Sequence, residues 1–127
     1  MKEYIHYKTR LTPIIKSHIK HMLKCYHELK KLTRTQHGEY AENTDRYNRS
    51  IKWYEIISET FEEWRTTTPY NAEVISHLFG IGDRSRAMTP VEVSLKLHVS
   101  QSSVYTMKDQ FIYEIGFKAI KEKLITF

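Results

Sequence analysis

The chain has a single cysteine, Cys25, in 127 residues. No internal disulfide can form, and a reducing compartment is the expectation. Four glycines and three prolines are too few to serve the many tight turns of an all-β fold, which leaves an all-α fold as the expected class. No uninterrupted apolar run approaches the roughly 20 residues that cross a bilayer, and no signal peptide is recognisable. The expected setting is therefore cytoplasmic, with no membrane partner. No Cys-x-x-Cys pair, internal repeat or low-complexity tract occurs, and Gly80-Ile81-Gly82 is too short to cradle a phosphate.

What is present is aromatic and basic. Nine Tyr, five Phe and two Trp supply core volume, and the net charge of +5 with a pI near 9.3 suits an anionic partner. That charge is unevenly placed. Residues 1–52 hold twelve Lys or Arg against five Asp or Glu, giving +7, whereas residues 53–127 hold eight against ten, giving −2.

A first long helix is expected from Thr12-Pro13 to about Leu32. Ile15, Ile19, Met22, Tyr26 and Leu29 share one face at helical spacing, with Leu23 at its edge. Lys16, Lys20, Lys24 and Lys31 line the other side, either as a solvated face or as a surface that tracks phosphates. Residues 33–44 are polar and read as a loop. A second long helix is expected from Thr44-Asp45 to about Arg65. Its buried face is Tyr47, Ile51, Tyr54, Ile57, Phe61 and Trp64, widened by Trp53, and its outer side carries Glu55, Glu59, Glu62 and Glu63. Ile56 points away from that face. Two such helices most simply form an antiparallel hairpin. This gives an N-terminal hairpin domain over residues 1–66 and a second domain over residues 67–127.

Catalytic and metal chemistry find little footing. His18, His21 and Cys25 lie within about 60° of one another on an ideal helix, and His77 is the one candidate for a fourth zinc ligand. Without a second ligand cluster, an ordinary polar helix edge is expected, with no metal and no cofactor. Glu62 and Glu63 are adjacent and diverge on a helix, which makes a poor acid–base pair. Cys25 has His21 four residues away but no oxyanion donors in mid-helix. The chain is not expected to be an enzyme.

The second domain carries the clearest pattern. Pro69, Glu73 and Gly80 bound a helix ending at Gly80. Thr89, Pro90 and Glu92 then make a helix start with a capping box. Val93 and Leu97 share a face, Ser94 is small where two helices approach, and Val99 is an apolar plug. His98 falls where a left-handed backbone is expected. Ser100 caps a second helix whose inward positions are Val104, Met107 and Phe111. That helix is expected to run past Ile115, to bend or end near Gly116, and to be followed by a further helix through Leu124.

Residues 89–108 thus read as a helix-turn-helix. The order of elements over about residues 71–120, best in Thr89-x-x-Glu92-Val93-Ser94 with Val99-Ser100 and Val104, resembles the last helix-turn-helix domain of bacterial sigma factors. Gln101, Ser102 and Ser103 replace the Arg and Glu that usually open the sigma recognition helix, so base specificity is not carried over. Together with the N-terminal helical region, the chain resembles the phage late-gene transcriptional activators of the RinA and ArpU kinds. The resemblance implies sequence-specific binding of double-stranded DNA and contact with host RNA polymerase, for which the acidic side of the second helix is a candidate.

In that reading Gln101, Ser102, Ser103, Tyr105, Thr106 and Lys108 face the major groove. Gln101 pairs with adenine and Tyr105 packs on a thymine methyl or bonds a phosphate. Lys96, Arg84 and Arg86 are candidates for neutralising phosphates. A homodimer reading two half-sites and a monomer both remain open. So do two rival functions: a protein-binding helix-turn-helix acting on RNA polymerase or another regulator, and a small terminase-type DNA-packaging subunit.

Overall fold

The computed structural model describes residues 12–34, 44–82 and 86–125. Among them the fold is all-α, with six helices: α1 (Pro13–Lys24), α2 (Tyr26–Arg34), α3 (Thr44–Thr67), α4 (Pro69–Phe79), α5 (Pro90–Leu97) and α6 (Gln101–Lys121). None of the described helices is long and apolar enough to cross a membrane.

The helix expected from Thr12 to Leu32 is interrupted at Cys25, which leaves helical geometry at φ −87°, ψ 7°. The two pieces serve different partners, since α1 packs on α6 while α2 packs on α3. Of the two pieces, α2 is the one that packs extensively on α3. Leu23, placed at the edge of the apolar face, is fully buried beside Ile19, whereas Ile15 and Met22 are only partly covered. The anticipated loop over residues 33–44 falls mostly outside the described residues, but Thr33 and Arg34 belong to α2 and Thr44 opens α3.

The 24-residue α3 is the hub, packed against α2, α4 and α6. Its buried stripe is Trp53, Ile56, Ile57, Thr60, Phe61 and Trp64, the i, i+3, i+4, i+7 spacing of a face wider than a coiled-coil seam. Ile56 is thus a core residue, because partners on several sides of α3 widen its covered face. Tyr54 and Ile51 lie at the margin, and the side chain of Tyr47 lies outside the described residues. Thr60, which polarity alone would set outside, is fully buried. Its hydroxyl donates to the Ile56 carbonyl at 2.7 Å and accepts from Lys118 Nζ at 3.0 Å, so the buried Thr60 hydroxyl is paired both as donor and as acceptor. Glu55, Glu59, Glu62 and Glu63 are exposed as expected.

Three helices end alike. The amide of Ile81 donates to Ser76 O at the end of α4, that of Val99 to Ser94 O after α5, and that of Leu124 to Ala119 O after α6. In each, the preceding residue is left-handed: Gly80 (φ 66°), His98 (φ 55°) and Lys123 (φ 59°). This is the six-to-one closure that satisfies the last carbonyls of a helix. It ends α6 at Lys121, where a further helix through Leu124 was expected; Leu124 and Ile125 instead fold back as buried residues, and Arg49 holds the Leu124 carbonyl at 2.8 Å. Gly116 lies buried within α6 without ending it.

The buried side chains form one contiguous cluster that crosses the boundary at residues 66/67. Phe111 is at its centre, fully buried, edge-on to Trp64 of α3 at 5.1 Å and stacked near Phe79 of α4 at 6.3 Å.

Candidate nucleic-acid interface

α6 has two unlike halves. From Phe111 onward it is embedded, with Phe111, Ile112, Ile115, Gly116 and Ala119 buried; before that only Val104 is fully covered. The front half is held by the α5–α6 turn. Thr89 Oγ1 accepts from the Glu92 amide at 3.2 Å while Glu92 returns a bond to the Thr89 amide at 3.0 Å, so both capping-box bonds form. Val93 is the buried contact of α5. His98 takes the left-handed conformation (φ 55°, ψ 44°), and Ser100 Oγ accepts from the Ser103 amide at 3.2 Å to start α6.

The exposed flank so presented consists of Gln101, Ser102, Tyr105, Thr106, Asp109 and Gln110. The last two belong to it by helical spacing, although the sequence reading passed over them. Thr106 donates its proton to Ser102 O at 2.9 Å, leaving oxygen lone pairs to face outward. Ser103 departs from the expected set. It is half-buried, and its hydroxyl accepts a 2.8 Å bond from Ser100 Oγ, because the third helical position is where an N-cap side chain reaches.

Lys108 is also half-buried, at the side of α6 that meets α1. Its ammonium lies 5.9 Å from the Tyr105 ring centre. Burial pushes its pKa down, and the nearby charges of Lys20 and Lys24 push it further, with Asp109 opposing. Lys16, one turn earlier on α1, sits over the Tyr113 ring of α6 at 4.9 Å. Among the described residues, Lys20, Lys24 and Lys108 have no carboxylate within salt-bridge distance. Lys20 and Lys24 of the α1 stripe are therefore brought near Lys108 in the front half of α6, and Lys16 near Tyr113 in its embedded half, which the sequence could not disclose without knowing what α1 packs on.

The other basic candidates divide. Lys96 is exposed in the last turn of α5. Arg86 is exposed but lies 3.8 Å from Glu92, which offsets part of its charge. Arg84 lies outside the described residues.

The residues weighed for metal chemistry are scattered. His77 is buried against Glu73 at 3.1 Å, His18 packs edge-on to Trp53, and His21 lies 3.6 Å from Cys25 Sγ. Among the described residues no three His, Cys, Asp or Glu side chains gather where an ion could be held. No protein-family model, curated protein or solved structure matches this chain.

Proposed function

We propose that this chain is a sequence-specific, double-stranded DNA-binding transcription regulator of the phage late-gene activator kind, acting with host RNA polymerase in a bacterial cytoplasm. One observation carries the reading. The exposed polar flank of α6 stands beside three lysines, Lys20, Lys24 and Lys108, that have no carboxylate partner among the described residues. Residues 53–127 are net negative, so a groove-reading helix there needs phosphate attraction from elsewhere, and α1 supplies it. Gln101 and Tyr105 are the base-reading candidates, and Ser102 and Thr106 lie beside them on the same flank. Ser103 is assigned to capping.

The test is selection of bound fragments from random duplex DNA at two ionic strengths, followed by gel-shift titration of the selected site. Gln101→Ala and Tyr105→Ala are expected to weaken specific binding by about 1–3 kcal/mol each, roughly 5-fold to 150-fold, with cooperative unfolding retained. Unchanged affinity in both variants counts against the reading.

A second reading has its own observation. Leu95 is 72% exposed and Val91 47% exposed on α5, where a helix crossing a DNA backbone would favour polar side chains. An α5 that grips a protein, RNA polymerase among the candidates, accounts for them. A protein contact through Leu95 need not weaken steeply with salt, whereas phosphate contacts must.

A further inference from the structure

A cavity of about 570 Å³ opens where α1 and α2 meet the end of α4 and the start of α5. Leu78, Phe79, Met88 and Pro90 give it apolar walls, and two lysines, Lys24 and Lys108, line it beside them. His27 lines it too, and the ring Nε2 is shut off from solvent with no hydrogen-bond partner. The size falls within the range of small-molecule sites, as does a mostly apolar lining with a few convergent polar groups. Two like charges gathered against apolar surface, with Asp109 acting on Lys108 but no carboxylate within salt-bridge distance of either lysine among the described residues, favour an occupant that is negative at one end and apolar at the other.

We propose that this cavity binds a small organic anion with an apolar body: a carboxylate, sulfonate or phosphate ester on an aliphatic or aromatic frame. The anionic head is taken by Lys24 and Lys108, and the body lies against Leu78, Phe79 and Met88. Lys24 and Lys108 are also two of the three lysines assigned to DNA phosphates, so an occupied cavity withdraws them from the duplex. That competition rests on the DNA reading; the cavity as a ligand site does not.

The full chain is titrated with anilinonaphthalene sulfonate, an aromatic frame bearing one sulfonate, and binding is followed by fluorescence. Decanoate, decanol and inorganic phosphate serve as competitors. A single saturable dye site is expected, displaced by decanoate, about tenfold less well by decanol, and not by phosphate. Lys24→Gln and Lys108→Gln each weaken dye binding about tenfold. Ala87→Trp, which fills the cavity from an exposed lining position, abolishes binding while the chain still unfolds cooperatively. No saturable binding, or equal binding by all three variants, overturns the proposal; so does phosphate displacing the dye as well as decanoate does. The titration contains no DNA, so its failure strikes the cavity, whereas failure of the chain to bind any duplex strikes the DNA reading alone.

Discussion

Ser94 Oγ donates to the carbonyl oxygen of Val99 at 2.6 Å, and the Val99 amide donates back to Ser94 O at 3.2 Å. The pair ties the last turn of α5 to the apolar plug before α6, which fixes how the two helices meet. The same two bonds join Ser76 and Ile81 at the end of α4, at 2.6 and 3.2 Å. Ser94→Ala keeps the backbone bond and leaves the Val99 carbonyl short of its side-chain donor. A loss of about 1 kcal/mol is expected, read as a lower urea midpoint at unchanged slope, together with weaker duplex binding. A full loss of stability with no effect on binding would show that the turn does not position α6.

The two closures differ at one residue. Gly80 takes the left-handed position after α4, and His98 takes it after α5. A side chain there costs energy that glycine does not. His98→Gly is expected to stabilise the fold by about 0.5–1 kcal/mol, the strain relieved being partly offset by the greater freedom of glycine in the unfolded chain. Urea unfolding checks the sign. Gly80→Ala is the mirror experiment and is expected to destabilise, since a Cβ would also stand 3.2 Å from the Arg86 carbonyl carbon.

Lys20 and Lys24 give the DNA reading a quantitative handle. If each neutralises a phosphate, Lys20→Gln and Lys24→Gln each lower the slope of log affinity against log salt by about one. Affinity for specific and random duplexes should fall by the same factor, because phosphates carry no sequence. A slope that stays at the wild-type value in both variants would remove α1 from the interface.

The local signals in this sequence were strong where one residue type does one job. Thr89 and Glu92, Pro69, Gly80 and Ser100 marked helix ends through chemistry confined to a single turn. What depends on distant partners was not legible. The interruption at Cys25 has no local breaker and spans one residue, across which the Cys25 amide still donates to His21 O and the Leu29 amide to Cys25 O. Ile56 and Thr60 look misplaced on a one-sided helix and become regular once α3 is seen to be covered on several sides. Lys123 ends α6 in a left-handed turn with no glycine to announce it. At the candidate interface, the flank from Gln101 to Thr106 followed from helical spacing, whereas Lys20 and Lys24 needed the packing of α1 against α6. Ser103 is half-buried and bonded to Ser100, since its spacing suits a capping position as well as a groove-facing one.

Glu92 makes the capping box pH-dependent. The bonds it shares with Thr89 hold its carboxyl below the usual carboxylate range, with the Arg86 charge adding a little and burial opposing slightly. A lowered folded-state pKa stabilises above the ordinary carboxylate value and is lost as pH falls through the folded one. Glu92→Gln can still bond the Thr89 amide, so it isolates the charge. The variant is expected to melt below wild type near neutral pH, with the gap closing on acidification. A gap that is constant with pH would locate the effect in shape and not in charge.

Glu114 shifts the other way. Burial between α6 and α3 raises its carboxyl above the usual range, and Glu63 adds to the rise; the bond accepted from Trp64 Nε1 and the charge of Lys118 pull it back without cancelling the burial. For a raised carboxylate, the stabilising contribution is complete below the unfolded value near 4.5 and is lost as pH climbs through the folded one. Above the unfolded value the fold is therefore less stable than it would be with this carboxyl protonated. Glu114→Gln removes the charge and keeps a carbonyl oxygen for Trp64 to bond. The variant is expected to be more stable than wild type near neutral pH and to lose that advantage as pH falls toward about 4. Paired urea midpoints across this range decide it. An advantage that survives acidification would trace the gain to packing, and a variant less stable at neutral pH would mean that Lys118 holds the carboxylate more firmly than burial opposes it.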